Sequence, residues 1–196
     1  MRSETIKSYI IDDLLKNKNV TLIASEVPFA NGRRKADLVF IEDGVLNAIE
    51  IKGPLDNLEK IEGQISDYKL SFERVWVLYA SNFKSRIREK TPLAVGLIEF
   101  TNNKEIKFVR CAKSKKQLDK SFLSSLLGKD DLRSLAESAK ASNAALNLNE
   151  TREIIAKTVK TEKLLVSAKL TLENKYKTAF DRFINKIRGD VTHPED

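Results

Sequence analysis

A chain of 196 residues with 41% hydrophobic side chains is long enough to bury a proper core, either as one medium domain or as a core with an appendage. With one cysteine (Cys111) and one histidine (His193, in a polar C-terminal stretch), an intramolecular disulfide, zinc sites and Cys/His or Ser/His catalysis are effectively excluded. The formal charge of +7 is uneven: residues 1–100 balance 15 basic against 15 acidic side chains, so the whole excess belongs to residues 101–196. No Gly-rich phosphate loop is visible, no run approaches a membrane span, and Met1–Lys7 lacks the apolar core of a signal peptide. These features predict a cytoplasmic protein with no membrane partner.

In chain order, Ile6, Ile10, Ile11, Leu14 and Leu15 form one helical stripe over residues 5–16, with Ser3 as its N-cap. Strands are expected near 21–29, 35–41 and 45–52, followed by a helix near 55–71 and a strand near 75–81. Two more strands, near 94–100 and 105–112, flank the polar turn Thr101-Asn102-Asn103-Lys104. Beyond Lys116 the pattern turns helical. Leu118, Phe122, Leu123, Leu126 and Leu127 lead to Gly128 as a C-cap, and Leu132, Leu135 and Ala136 begin a second helix before an Ala/Asn stretch. Asn149 is placed as the cap of a third helix, and apolar spacing from Leu164 to Ile187 carries the helical region to Gly189. The resulting division is a core over 1–115, a helical accessory domain over 116–189 and a flexible tail over 190–196.

The segment Glu42-Asp43-Gly44 separates two strand-like runs, and Asp-Gly is a strong signal for a two-residue type I′ turn. With that turn, Glu42 pairs with Val45, and counting outward sets Asp37 opposite Glu50. Opposed like charges are destabilising, because cross-strand Cβ atoms lie about 5 Å apart. Strand periodicity adds Lys52 to the same face. An ordinary wet hairpin face is the competing reading. Apolar residues on both sides of Val45–Lys52 oppose it, since they mark a central strand where charge needs a reason. A divalent cation between the two carboxylates would supply that reason.

Asp37 followed by Glu50-Ile51-Lys52 resembles the D…(D/E)-x-K signature of the PD-(D/E)XK nuclease superfamily. Gln64 and Tyr68, four apart on the next helix and sharing a face, resemble the Gln-x-x-x-Tyr element of its RecB-like branch. The similarity covers roughly residues 1–112 and is nearest to small stand-alone bacterial and phage members; Ala36 stands where many members have proline. It implies an α/β fold, a restriction-endonuclease-like mixed sheet flanked by helices, here with a C-terminal helical extension. It also implies Mg²⁺ or Mn²⁺ held by Asp37 and Glu50, with the Ile51 carbonyl and Glu26 as further ligands. Lys52 would serve as catalytic lysine, and Gln64 and Tyr68 would position substrate or brace Lys52.

The expected activity is metal-dependent hydrolysis of phosphodiester bonds, in DNA. Arg33, Arg34 and Lys35 lie near the site in sequence and are candidates for the nucleic-acid backbone, with Glu4 a weaker acidic candidate. The basic run that includes Lys113, Lys115 and Lys116 is a second nucleic-acid candidate, since such groups supply non-specific affinity. The alternative is a catalytically inactive nuclease-fold protein serving a phage or mobile element as a nucleic-acid-binding or protein-interaction module. The C-terminal helices would suit a homo-oligomer or a protein partner.

Overall fold

The computed structural model describes residues 3–17, 19–115, 117–139 and 146–191. The core is one mixed sheet of six strands in the order β1-β2-β3-β4-β5-β6. Helix α1 (Ser3–Asn17) precedes three antiparallel strands, β1 (Val20–Phe29), β2 (Arg34–Glu42) and β3 (Val45–Lys52). Helix α2 (Ile61–Ser71) then leads to β4 (Arg74–Ala80), parallel to β3, and α3 (Lys84–Lys90) leads to β5 (Gly96–Phe100), parallel to β4. Strand β6 (Ile106–Arg110) closes the sheet antiparallel to β5. The expected class, a mixed sheet flanked by helices with a helical extension, is the one found.

The Asp-Gly turn forms as its chemistry dictates. Asp43 and Gly44 both have left-handed backbone, at φ 49° and 74°, which a type I′ turn requires of its two central residues. Glu42 pairs with Val45 and Leu38 with Ile49, so the register carries Asp37 toward Glu50. Strand β3 is buried from Leu46 to Ile51, as a strand in the interior of the sheet must be. Gly96 on β5 lies under the Trp76 ring of β4; a Cβ there would come within 2.1 Å of that ring.

Four helices complete the chain: α4 (Lys120–Ser124), α5 (Lys129–Ser138), α6 (Leu148–Thr158) and the long α7 (Thr161–Val191). Helix α7 packs on β1 and α4 packs on α2, and the buried apolar cluster runs without a break from the sheet into Leu123, Leu132, Ile155, Leu164 and Leu172.

Several local expectations need correction. Residues 55–60 are not helical, because Asp56 folds back on Gly53: its N–H donates to the Gly53 carbonyl at 3.1 Å and its carboxylate accepts the Gly53 N–H at 2.7 Å. Gly128 does not end a helix; it stands in extended backbone as the N-cap of α5. The cap of α6 is Asn147 rather than Asn149, in a reciprocal capping box with Glu150. Helix α7 runs through Gly189 to Val191. Helix α3 carries no apolar stripe, only the buried Ile87, so sequence periodicity gave no sign of it. Lys116, His193 and the tail beyond Val191 lie outside the described residues, as does most of the Ala/Asn stretch.

Candidate active site

A cleft of about 410 Å³ opens where α1, β1, β2, β3 and the start of α2 converge, and its lining includes Asp37, Glu50, Ile51, Lys52 and Gln64. Asp37 and Glu50 therefore share one cavity, as the hairpin register predicts. Glu50 is 4% exposed, and both its carboxylate oxygens are engaged. The Tyr68 hydroxyl donates to Oε2 at 2.7 Å, the Gln64 amide donates to Oε1, and Lys52 Nζ is ion-paired with Oε1 at 3.0 Å. Gln64 also accepts from Lys52 Nζ at 2.9 Å. One amide thus ties the acid and the lysine of the E-x-K strand together. This is what residues four apart on a helix do when the helix lies along a strand with period two.

Asp37 is held differently. Its Oδ2 accepts the Ile51 N–H at 2.7 Å, so the side chain replaces a rung of the β2–β3 ladder, and its own N–H donates to the Tyr68 hydroxyl at 3.3 Å. Burial, and then the charge of Glu50, push the Asp37 carboxyl up to about 7, against the pull of the Ile51 N–H and Lys7. Tyr68 is pushed upward by burial first and then by the Glu50 and Asp37 carboxylates. Its proton stays in place at any working pH, which keeps it a donor to Glu50. Its ring lies edge-on to Phe29 at 5.0 Å, anchoring the hydroxyl from the apolar side.

Glu26 lines the same cleft but is ion-paired with Lys7 of α1 at 2.7 Å, in left-handed backbone at φ 53°. Among the described residues no group of three or more His, Cys, Asp or Glu side chains is placed to hold one ion. Of the three acids expected to hold the ion, Glu26 is drawn onto Lys7, and Asp37 and Glu50 line the cleft beside it. Glu4 lines the cleft as well, together with Lys7, Asp56, Asn57 and Lys60, four residues that sequence reasoning did not select. Lys7 is one helical turn from Glu4, but nothing local in the sequence ties α1 to β1.

The expected nucleic-acid residues are placed elsewhere. Arg34 is ion-paired with Asp67 of α2 at 2.7 Å, Arg33 donates to the Ala30 carbonyl at 3.1 Å, and Lys35 is exposed on β2. None of the three lines the cleft. Lys113 is exposed, and Lys115 reaches the Lys69 carbonyl near the end of α2 at 3.4 Å. Arg110, from the same basic run, is committed to structure. Its guanidinium donates to the Val95 carbonyl and the Thr91 hydroxyl, each at 2.8 Å.

These features define a mixed α/β protein with two opposed carboxylates and a lysine at the floor of an open cleft. The chain belongs to the family of bacteriophage P4 protein cII, which matches it over residues 1–196. It is 27% identical over 195 residues to "Protein cII" of Enterobacteria phage P4, an alignment spanning 97% of this chain and 74% of that protein. The expected phage kinship is met in this form. A solved structure, the SPO1766 protein of unknown function from Silicibacter pomeroyi, superposes with a TM-score of 0.48 at 14% identity, covering 75% of this chain and 99% of that one. No helix among the described residues is long and apolar enough to cross a membrane.

Proposed function

We propose that this protein is a nuclease that hydrolyses phosphodiester bonds in DNA, using Mg²⁺ or Mn²⁺ held by Asp37 and Glu50. The observation that carries the reading is the pair of opposed, largely buried carboxylates, one of them raised to about 7, with Lys52 against them in an open cleft. Opposed buried acids cost stability, and a hard cation that prefers oxygen ligands and retained waters removes that cost. The donor set fits such an ion: two carboxylates, with the Ile51 main chain beside them. When bound, the ion polarises the scissile phosphate and makes a bound water more acidic.

The protein's own groups do the rest. Lys52 Nζ, fixed between Glu50 and Gln64, orients the attacking water and neutralises charge growing on the phosphate oxygens. Gln64 and Tyr68 hold Glu50 in one rotamer, and the Ile51 N–H does the same for Asp37. Action on DNA in the cytoplasm belongs to the same proposal.

The test is cleavage of linear, circular and single-stranded substrates with Mg²⁺ or Mn²⁺. Glu50→Gln keeps the side-chain shape and removes the charge; it should lower metal-dependent cleavage by about 10³-fold or more while the chain still folds. Lys52→Ala should lower cleavage more than binding. Undiminished cleavage by both variants would place the chemistry elsewhere.

A second reading has its own observation. Both Glu50 oxygens are already engaged by protein donors, so Glu50 is held in place without an ion. A non-catalytic nucleic-acid-binding or protein-interaction module of a phage would keep it for that reason. DNA binding without metal-dependent cleavage would select this second reading.

A further inference from the structure

A second basin, of about 370 Å³, adjoins the acidic cleft and shares Asp56 and Asn57 with it. Its outer wall comes from Phe83 and from Arg86 and Lys90 of α3. That helix, Lys84–Lys90, carries four basic residues and a single acid. Its cations are not equivalent. Lys84 is ion-paired with the buried Glu99 at 3.2 Å, whereas Arg86 is exposed, with its guanidinium carbon 5.2 Å from the centre of the Phe83 ring. Lys90 has only a loose pairing with Glu62, at 3.9 Å.

The wall between the two basins is tied together by hydrogen bonds. Asp56 closes the turn onto Gly53, and the Asn82 amide donates to the Pro54 carbonyl at 3.1 Å. Of the basin's two acids, Asp56 is committed to the Gly53 N–H, and Glu59 is exposed at its edge. A cavity of this size lies at the small end of the range for ligand pockets, roughly 300–1,000 Å³, and has room for one nucleotide-sized unit.

We propose that the second basin is a backbone-tracking subsite. A single nucleic-acid strand runs from the acidic cleft over the Gly53–Asp56 turn, and Arg86 and Lys90 hold its next phosphates. The assignment rests on the nuclease reading for what happens in the first cleft, but strand binding stands apart from cleavage.

The full chain in EDTA, where divalent-metal cleavage is off, is titrated with a labelled single-stranded oligonucleotide and, separately, with its duplex by fluorescence anisotropy at several salt concentrations. Replacing both Arg86→Gln and Lys90→Gln should weaken binding about 10-fold and flatten the log–log salt slope by about 1.4, the value for two phosphate contacts on a single strand. The charge-keeping pair Arg86→Lys and Lys90→Arg should restore the slope. Unchanged affinity and slope in the Gln variant overturns the subsite, as does binding by the wild type to duplex alone. Strand binding that responds to the variant, with no cleavage by the wild type in Mg²⁺ or in Mn²⁺, removes the nuclease reading and leaves the subsite. Cleavage by the wild type with no response of binding to the variant does the reverse.

Discussion

The acidic cleft and the C-terminal helices bury their polar groups in opposite ways. In the cleft, partners are distant in sequence: Lys52 meets Gln64 across 12 residues, Lys7 meets Glu26 across 19, and Asp37 meets Tyr68 across 31. In the helical region several side-chain hydroxyls satisfy themselves within a turn, as Ser124 does on the Ser121 carbonyl and Thr151 on the Asn147 carbonyl, each at 2.8 Å, while Thr171 reaches across to Asp131. What the helices bury is mainly apolar and uncharged, with Leu164, Ala168 and Leu172 turned inward on α7. The contrast separates two uses of burial. The helices use it for stability, whereas the cleft holds like charges together at a cost in stability.

The sharpest way to break the comparison is from the helical side. Leu164 is fully buried, so Leu164→Ala should cost about 2–5 kcal/mol, read from the denaturant midpoint. Cleavage per folded molecule should not change; a specific loss of activity would mean that α7 shapes the cleft. From the other side, Tyr68→Phe removes the donor to Glu50 Oε2 and the acceptor for the Asp37 N–H. About 10- to 100-fold should be lost from metal affinity or cleavage, with a smaller loss of stability than in Leu164→Ala.

Asp37 turns the comparison into a pH experiment. Its folded value of about 7 lies above the usual ~3.9 of an unfolded chain. Between about pH 4 and 7 the folded state therefore keeps a proton that the unfolded chain has lost. Stability should fall as pH rises through that window and level off above it. Asp37→Asn should remove the decline and be more stable than the wild type at pH 8 by ~1–3 kcal/mol, while losing cleavage. Urea midpoints at pH 5 and pH 8 measure this; an equal pH slope in both proteins would show that Asp37 is not the titrating group. Mg²⁺ affinity should rise with pH up to about 7, because binding displaces that proton.

The smallest effect is expected at the basic run beside the helices. Replacing Lys113 and Lys115 by Gln should weaken DNA binding a few-fold and flatten the salt slope by up to about two. An unchanged slope would leave these lysines as solvated surface and favour a protein partner for the helices.

Much of the site was legible because β-hairpin register is a local property. Once Asp43 and Gly44 set the turn, counting residues brings Asp37 to Glu50, and period-two alternation adds Lys52. Gln64 and Tyr68 were legible as a pair sharing a helix face, but not as the donors that bind the two oxygens of Glu50. That depends on how α2 lies across β3. Lys7 was invisible, because α1 reaches β1 only through packing.

The sequence by itself determined the turn, the register, the central character of β3 and the excess of positive charge beyond residue 100, all consequences of neighbouring residues or of composition. Tertiary structure alone decided that Glu26 pairs with Lys7, that Arg34 is drawn onto Asp67 and away from the cleft, and that Arg110 locks a loop. A charged side chain takes the nearest partner that also satisfies its desolvation, and which partner is nearest is fixed only when separate elements pack.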